Sequence, residues 1–248
     1  MTGRRPQEPA PAVTLLVMAK EPVPGRVKTR LTPPFTPTQA AAVAEAAIAD
    51  TLAAVIRLTR LPRPAGLGPV RAVLVLDGAV GPWLRVPIEV IPQVAGPFET
   101  RLGAAFDAVT GPALLIGMDT PQVTTALLAN ACHALTDVGT DADTDADTDA
   151  VFGPAADGGW WALGLRRPDG RLLRGVPTSQ PDTGARQRDR LAQAGLRVST
   201  LPRLRDVDTP ADADAVARLA PRGRFAVAVR SIRADSASPV AVSPRAGR

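Results

Sequence analysis

Residues 13–31 read "VTLLVMAKEPVPGRVKTRL", and the fold turns on how that stretch divides. Val13 to Ala19 is an apolar run that hardly alternates, the pattern of a strand covered on both faces. It stops at Lys20-Glu21, too early for a secretory apolar core and far short of the ~20 apolar residues that span a bilayer. Pro22, Pro24 and Gly25 break regular structure directly after it, so the amides of 25–28 can turn toward a ligand. Lys20, Arg26, Lys28 and Arg30 bring four cations to that loop. Of the 29 basic side chains in the protein, only Lys20 and Lys28 are lysine. A lysine is a compact point charge and an arginine a planar fork, so the two are not interchangeable around a transferring phosphate. Two lysines kept so close together suggest a phosphate grip; an ordinary solvated loop is the plain alternative.

Outward from this stretch the chain alternates strands with helices. Thr36-Pro37-Thr38-Gln39 carries a cap, a proline for the first helical position and a capping box, ahead of an Ala-rich helix. Strands are expected at 70–77 and 87–91, a helix at 98–109, a continuous apolar strand at 113–119 and a helix at 123–137. "DAVFGPA" and "WWALGLR" form a strand pair around Asp157-Gly158-Gly159. A helix over 182–195, a strand in "LRVSTL" and a last helix opened by Thr209-Pro210 follow. That order predicts a largely parallel sheet covered on both faces, with ligands outside the carboxyl ends of its strands.

The 248 residues suit one α/β domain, and an apolar content of 45% fits a globular protein. Cys132 is the single cysteine and His133 the single histidine, which excludes an internal disulfide and metal sites built on several thiolates or imidazoles. His133 reads as an ordinary helix residue. Chemistry must therefore come from carboxylates, lysine, arginine, backbone amides or a bound ion. The net charge of +5 is that of residues 221–248 alone, where six arginines face Asp235; the first 220 residues balance at zero. The folded part gives no nucleic-acid signal. The expected organisation is a flexible segment 1–12, a single domain 13–220, a low-complexity Asp/Thr/Ala loop at 137–150 and a flexible basic tail at 221–248. The repeat "TDADTDADTDA" (140–150) has no glycine for a tight calcium loop and reads as a surface expansion.

Three further stretches can carry chemistry. "LLIGMDTP" delivers Asp119 at the end of an apolar strand, where a carboxylate can hold a hard divalent ion together with substrate phosphates or simply cap the next helix. "GPAADGGWWALGL" offers Asp157 to sugar hydroxyls and Gly158-Gly159 to a close backbone approach, though a hairpin turn wants glycines too. Trp160 and Trp161 face opposite ways, so at most one lines the core face. "LRDVDTPADADAV" places Asp206 and Asp208 before a capped helix, as helix-terminus charges or as a second ligand for the ion.

Taken in order and spacing, "AKEPVPGRVKTRL", "IGMDTP", "GPAADGGWWALGL" and "RDVDTPADADAV" resemble small bacterial proteins of the nucleotide-diphospho-sugar transferase superfamily. These are family-A-type glycosyltransferases of the selenodomain-associated and arsenosugar-type group. The layout is also similar to molybdenum-cofactor and phospholactate guanylyltransferases. The resemblance covers roughly 13–226 and implies a Rossmann-like α/β/α sandwich whose N-terminal half binds a nucleotide. It implies that Ala19, Lys20, Pro24, Gly25, Arg26, Lys28 and Arg30 line the nucleotide and its phosphates, with Gln93 in the base-contacting loop and Arg101 after it. Asp119 would hold Mg²⁺ or Mn²⁺ with Asp208 as partner; Asp157, Gly158, Gly159 and Trp160 would meet sugar or acceptor. Lys28, Asp119 and Asp157 are the expected catalytic residues. The activity implied is cytoplasmic, metal-dependent transfer from a nucleotide-diphosphate sugar to a small-molecule acceptor. The glycosyltransferase Asp-x-Asp is here the single Asp119, which is closer to a nucleotidyltransferase joining a nucleoside triphosphate to a phosphorylated acceptor. The loop, in turn, lacks the Gly-rich form of many nucleotidyltransferases. A non-catalytic nucleotide-binding protein is the reading of another class.

Overall fold

The computed structural model describes residues 13–60, 67–137 and 148–237. Segment 1–12, most of the Asp/Thr/Ala repeat and the chain beyond 237 lie outside the described residues. The strands are Val13–Lys20 (β1), Val70–Asp77 (β2), Glu89–Pro92 (β3), Ala113–Gly117 (β4), Ala150–Pro154 (β5), Trp160–Leu165 (β6) and Val198–Thr200 (β7). The helices are Pro37–Arg60 (α1), Phe98–Asp107 (α2), Thr125–Thr136 (α3), Thr183–Gln193 (α4), Pro210–Leu219 (α5) and Arg224–Ala237 (α6). The strands make one sheet in the order β3-β2-β1-β4-β6-β5-β7. β1 pairs in parallel with β2 and β4, β2 with β3, and β5 with β7; β6 runs against both β4 and β5. Every strand but β6 therefore points the same way. The order reverses at β1, which has β2 on one side and β4 on the other, and that reversal opens a crevice at their carboxyl ends.

The unalternating run of β1 is explained by its two covers. Val13, Leu15, Val17 and Ala19 enter the core shared with α1 and α3, while Leu16 and Met18 enter the core shared with α2 and α4. This is the expected three-layer α/β/α sandwich. The first helix starts where its caps predict: the Thr36 amide donates to Gln39 Oε1 at 2.8 Å and the Gln39 amide donates to Thr36 Oγ1 at 3.2 Å. None of the described helices is long and apolar enough to cross a membrane.

The expectation of a basic tail fraying from residue 221 does not hold for its first part. Arg224–Ala237 is helical, and Phe225, Ala226, Val229 and Ile232 pack with α1 and α5 in a third core. Asp50 of α1 caps the new helix, its two carboxylate oxygens accepting from the Arg224 amide at 3.0 Å and the Phe225 amide at 2.9 Å. The arginines that suggested a solvated tail lie between apolar residues at helical spacing, so the stripe is amphipathic.

Candidate active site at the strand ends

The sheet topology collects the sequence-predicted acids. β4 ends at Gly117 and Asp119 follows by two residues. β6 runs in the reverse direction, so its first residue, Trp160, and the Asp157 turn before it lie at the same edge as the end of β4. The chain after β7 returns there as well. The Val207 amide donates to the Asp119 carbonyl at 2.9 Å, and Gln122 Nε2 donates to the Arg205 carbonyl at 2.7 Å. Val207 is fully buried in the third core. Residues two apart in an extended segment face alike, so Asp206 and Asp208 turn together to the other side, into the crevice.

Lys28 reaches this group from the other side of the crevice. Its backbone is left-handed, φ 49°, an arrangement that costs a non-glycine residue about 1 kcal/mol and needs support from surrounding contacts. The support is visible: its ammonium lies 2.7 Å from Asp119 Oδ1 and 3.6 Å from Asp208 Oδ1 and donates to the Val207 carbonyl. Asp119 Oδ1 is shut off from solvent and meets that ammonium at ion-pair distance, off the angle of a hydrogen bond. Arg30 holds the other oxygen of Asp208 at 3.2 Å.

Two adjoining cavities share this wall. One, about 240 Å³, is lined by Lys20, Arg26, Val27, Lys28, Thr29 and Arg30 with Met118, Asp119 and Asp208. Lys20 and Arg26 make no ion pair among the described residues. The other, about 380 Å³, shares Arg30, Asp119 and Asp208 and adds Asp157, Asp206, Phe98, Trp160 and the polar turn Thr178–Gln180 over an apolar floor of Met18, Leu102 and Leu115. Burial pushes the Asp206 carboxyl up to about 8, with the charges of Asp119, Asp157 and Asp208 adding to the effect and Lys28 opposing it. Sequence reasoning preferred Asp208 over Asp206. The structure brings both in, and the alternation around Val207 was the signal that could have shown it.

Not every expected residue reaches the crevice. Gln93 spends both amide hydrogens inward, on the Ala19 carbonyl at 2.9 Å and the Val75 carbonyl at 3.0 Å, and its oxygen accepts from Arg101 at 3.0 Å. With both amide hydrogens taken by strand carbonyls, it braces β1 against β2 and has no side-chain donor left to offer a base. Arg101 is likewise turned to Gln93 and Asp77. Ala19 is buried, and Pro24 and Gly25 are exposed on the loop without lining either cavity. Gly158, at φ 92°, serves an approach of chain to chain: a Cβ there would lie 2.0 Å from the Pro181 carbonyl. Asp157 is fixed by the Gly159 amide at 2.9 Å. Trp161 is core, donating to the Pro202 carbonyl at 3.0 Å, whereas Trp160 is half-buried at the cavity. Burial pushes the Cys132 thiol up to about 12, which leaves no thiolate for chemistry.

A divalent ion is implied by the superfamily resemblance, and the residues fit one. Asp119 and Asp208 present hard oxygens to one cation position, and two carboxylates are the complement of a magnesium-type site completed by substrate phosphates. Among the described residues no group of three His, Cys, Asp or Glu side chains is arranged to hold a metal by itself.

Comparison with known proteins agrees with this architecture. A family model described as an uncharacterized protein conserved in bacteria (DUF2064) matches residues 65–180, which include Asp119 and Asp157. A crystal structure from Desulfovibrio desulfuricans G20, provisionally assigned as a nucleotide-diphospho-sugar transferase, superposes with a TM-score of 0.73 at 25% identity. That match covers 90% of this chain and 95% of the other. A CMP:2-keto-3-deoxy-manno-octonic acid synthetase complexed with CTP shares the fold at a TM-score of 0.53 and 13% identity, over 86% of this chain and 99% of that one. No curated protein matches the chain. The fold is that of the nucleotide-diphospho-sugar transferase superfamily, as the motifs led one to expect.

Proposed function

We propose that the protein transfers a sugar from a nucleotide-diphosphate donor to an uncharged hydroxyl acceptor, assisted by a divalent ion. The observation that carries the reading is the meeting of Lys28, Asp119 and Asp208 on the wall between a cationic cavity and an acidic, aromatic one. The diphosphate belongs on the Lys20–Arg26 side, where the cations have no ion pair among the described residues. Sugar and acceptor belong on the other side, against Trp160 and Asp157. That second cavity sets three carboxylates and the carboxyl of Asp206, which resists ionising, against Arg30, which is already paired with Asp208. A phosphorylated acceptor would find no free cation there, which favours glycosyl transfer over the guanylyltransferase type of reaction. The single acid of "GMDTP" keeps nucleotidyl transfer as the second reading.

In the proposed reaction the bond from the sugar's anomeric carbon to the diphosphate breaks, and a bond to the acceptor oxygen forms. The diphosphate leaves with the electron pair, and the acceptor proton passes to a carboxylate, for which Asp157 is placed. Lys20 and Arg26 hold and orient the phosphates, and Lys28 balances the charge growing on the leaving group. Asp119 and Asp208 would hold the divalent ion, which would supply the same electrostatic help at the diphosphate.

The test is a turnover screen of nucleotide sugars and nucleoside triphosphates with Mn²⁺, reading the released product. Glycosyl transfer liberates a nucleoside diphosphate, and pyrophosphate would instead support the second reading. Calorimetry of Asp119→Ala completes it, with loss of metal-dependent nucleotide binding expected; unchanged affinity would defeat the metal assignment.

A further inference from the structure

Lys28 was expected to face a phosphate, yet its ammonium, on the wall of the cationic cavity, is already held by oxygens of the protein itself. Its side chain is only 6% exposed, and its ammonium lies among three oxygens, donating to the Val207 carbonyl and standing at ion-pair distance from Asp119 and Asp208. Two of those oxygens belong to the carboxylates assigned above to the divalent ion. An ion coordinated at about 2.1 Å through the same two oxygens would sit almost on the ammonium, now 2.7 Å from one and 3.6 Å from the other. The two cations cannot share the pair.

The geometry points to Lys28 as a built-in counter-ion that excludes the metal until an anion enters the neighbouring cavity. It rests on the proposed function, since it needs a metal at Asp119 and Asp208 and a phosphate beside Lys20 and Arg26. In the ligand-free protein the ammonium, together with Arg30 on Asp208, neutralises the two acids, which would otherwise repel each other in a half-buried site. A dianion settling beside Lys20 and Arg26 offers the ammonium new partners. The flexible four-carbon stem can follow, where the planar fork of an arginine would be held in place. Its departure frees the two carboxylates for the ion, and the arriving ion in turn drives the ammonium toward the anion. Metal and phosphate therefore strengthen each other's binding, and the coupling is reciprocal. This gives the position a reason to be lysine in a chain that writes 27 of its 29 basic side chains as arginine, and it guards the site against filling by free metal alone.

The experiment measures Mn²⁺ binding to the full chain by the spin resonance of free Mn²⁺, with and without sulfate, a dianion that hardly chelates the metal. The wild type should bind Mn²⁺ weakly, and sulfate should tighten it about tenfold, within the usual range of coupling between sites. Lys28→Met should bind Mn²⁺ about tenfold tighter than the wild type without sulfate and gain little from adding it. A second measurement needs no variant. Amine acylation read by peptide mass should find Lys28 protected relative to Lys20, and Mn²⁺ with sulfate should raise Lys28 labelling severalfold without raising that of Lys20. Equal Mn²⁺ affinity in wild type and Lys28→Met, with Lys28 labelling unchanged, would overturn the exclusion and leave the metal assignment standing. Absence of Mn²⁺ binding in both proteins under all conditions would overturn the exclusion and the metal assignment together.

Discussion

Asp206→Asn should leave the ligand-free protein unchanged in acid and stabilise it in base. The Asp206 carboxyl titrates ordinarily near 3.8 and is pushed up to about 8 in the fold, first by burial and then by Asp119, Asp157 and Asp208. Between those two values the unfolded chain has lost the proton while the folded chain keeps it. The folded state then binds more protons, so stability falls as pH rises through that window. At about 1.4 kcal/mol per pH unit, the full span sets an upper bound of roughly 5–6 kcal/mol. Lys28 offsets part of the repulsion, so about 2–3 kcal/mol is the working expectation. Asparagine keeps the shape and has no proton to lose. Urea unfolding of both proteins in a metal chelator, at pH 4, 5.5, 7 and 8.5, should show the variant's advantage growing with pH from nearly nothing. A gap independent of pH, or one that closes in base, would refute the placement of a desolvated Asp206 among like charges.

Two further substitutions test the supports of the site. Asp50→Ala removes the cap from the Arg224 and Phe225 amides; a loss of about 1–2 kcal/mol is expected, with faster amide hydrogen exchange concentrated in α6. An unchanged exchange rate there would mean the helix is held by packing alone. Gly158→Ala meets both a φ of 92° and the Pro181 carbonyl, so denaturant unfolding should show a loss of at least about 2 kcal/mol. A loss under about half a kcal/mol would mean that the turn bearing Asp157 is not pinned as described.

The parts of the fold that were legible in the sequence are those whose signals lie within a few residues of one another. The Thr36/Gln39 capping box is formed as written, Thr209 and Pro210 open their helix as expected, and the unalternating run of β1 is buried on both sides. The parts that were not legible depend on distant backbone. Nothing near Gln93 announces that the Ala19 and Val75 carbonyls, 74 and 18 residues away, will take its two donors. Nothing near Arg224 announces an acid in α1 waiting to cap it. The basic tail was misread for a related reason: composition weighs its arginines, while the fold weighs where Phe225, Val229 and Ile232 fall around a helix.

The charges of the site, taken together, argue for a direction along which a substrate lies. On one side of the Lys28–Asp119 contact are Lys20 and Arg26, cations with no acid among the described residues to answer them. On the other are Asp157 and Asp206, whose charges the fold leaves so poorly answered that Asp206 resists ionising. A site polarised in this way suits a molecule that is strongly negative at one end and uncharged with hydroxyls at the other. A nucleotide-diphosphate sugar has that distribution, with the bond to be broken at the boundary between its halves. That boundary would fall where Lys28, Asp119 and Asp208 meet, the place where a shift of one ammonium changes the charge most. A nucleoside triphosphate bound with a phosphorylated partner would instead carry negative charge to both sides, and the acidic cavity would oppose it.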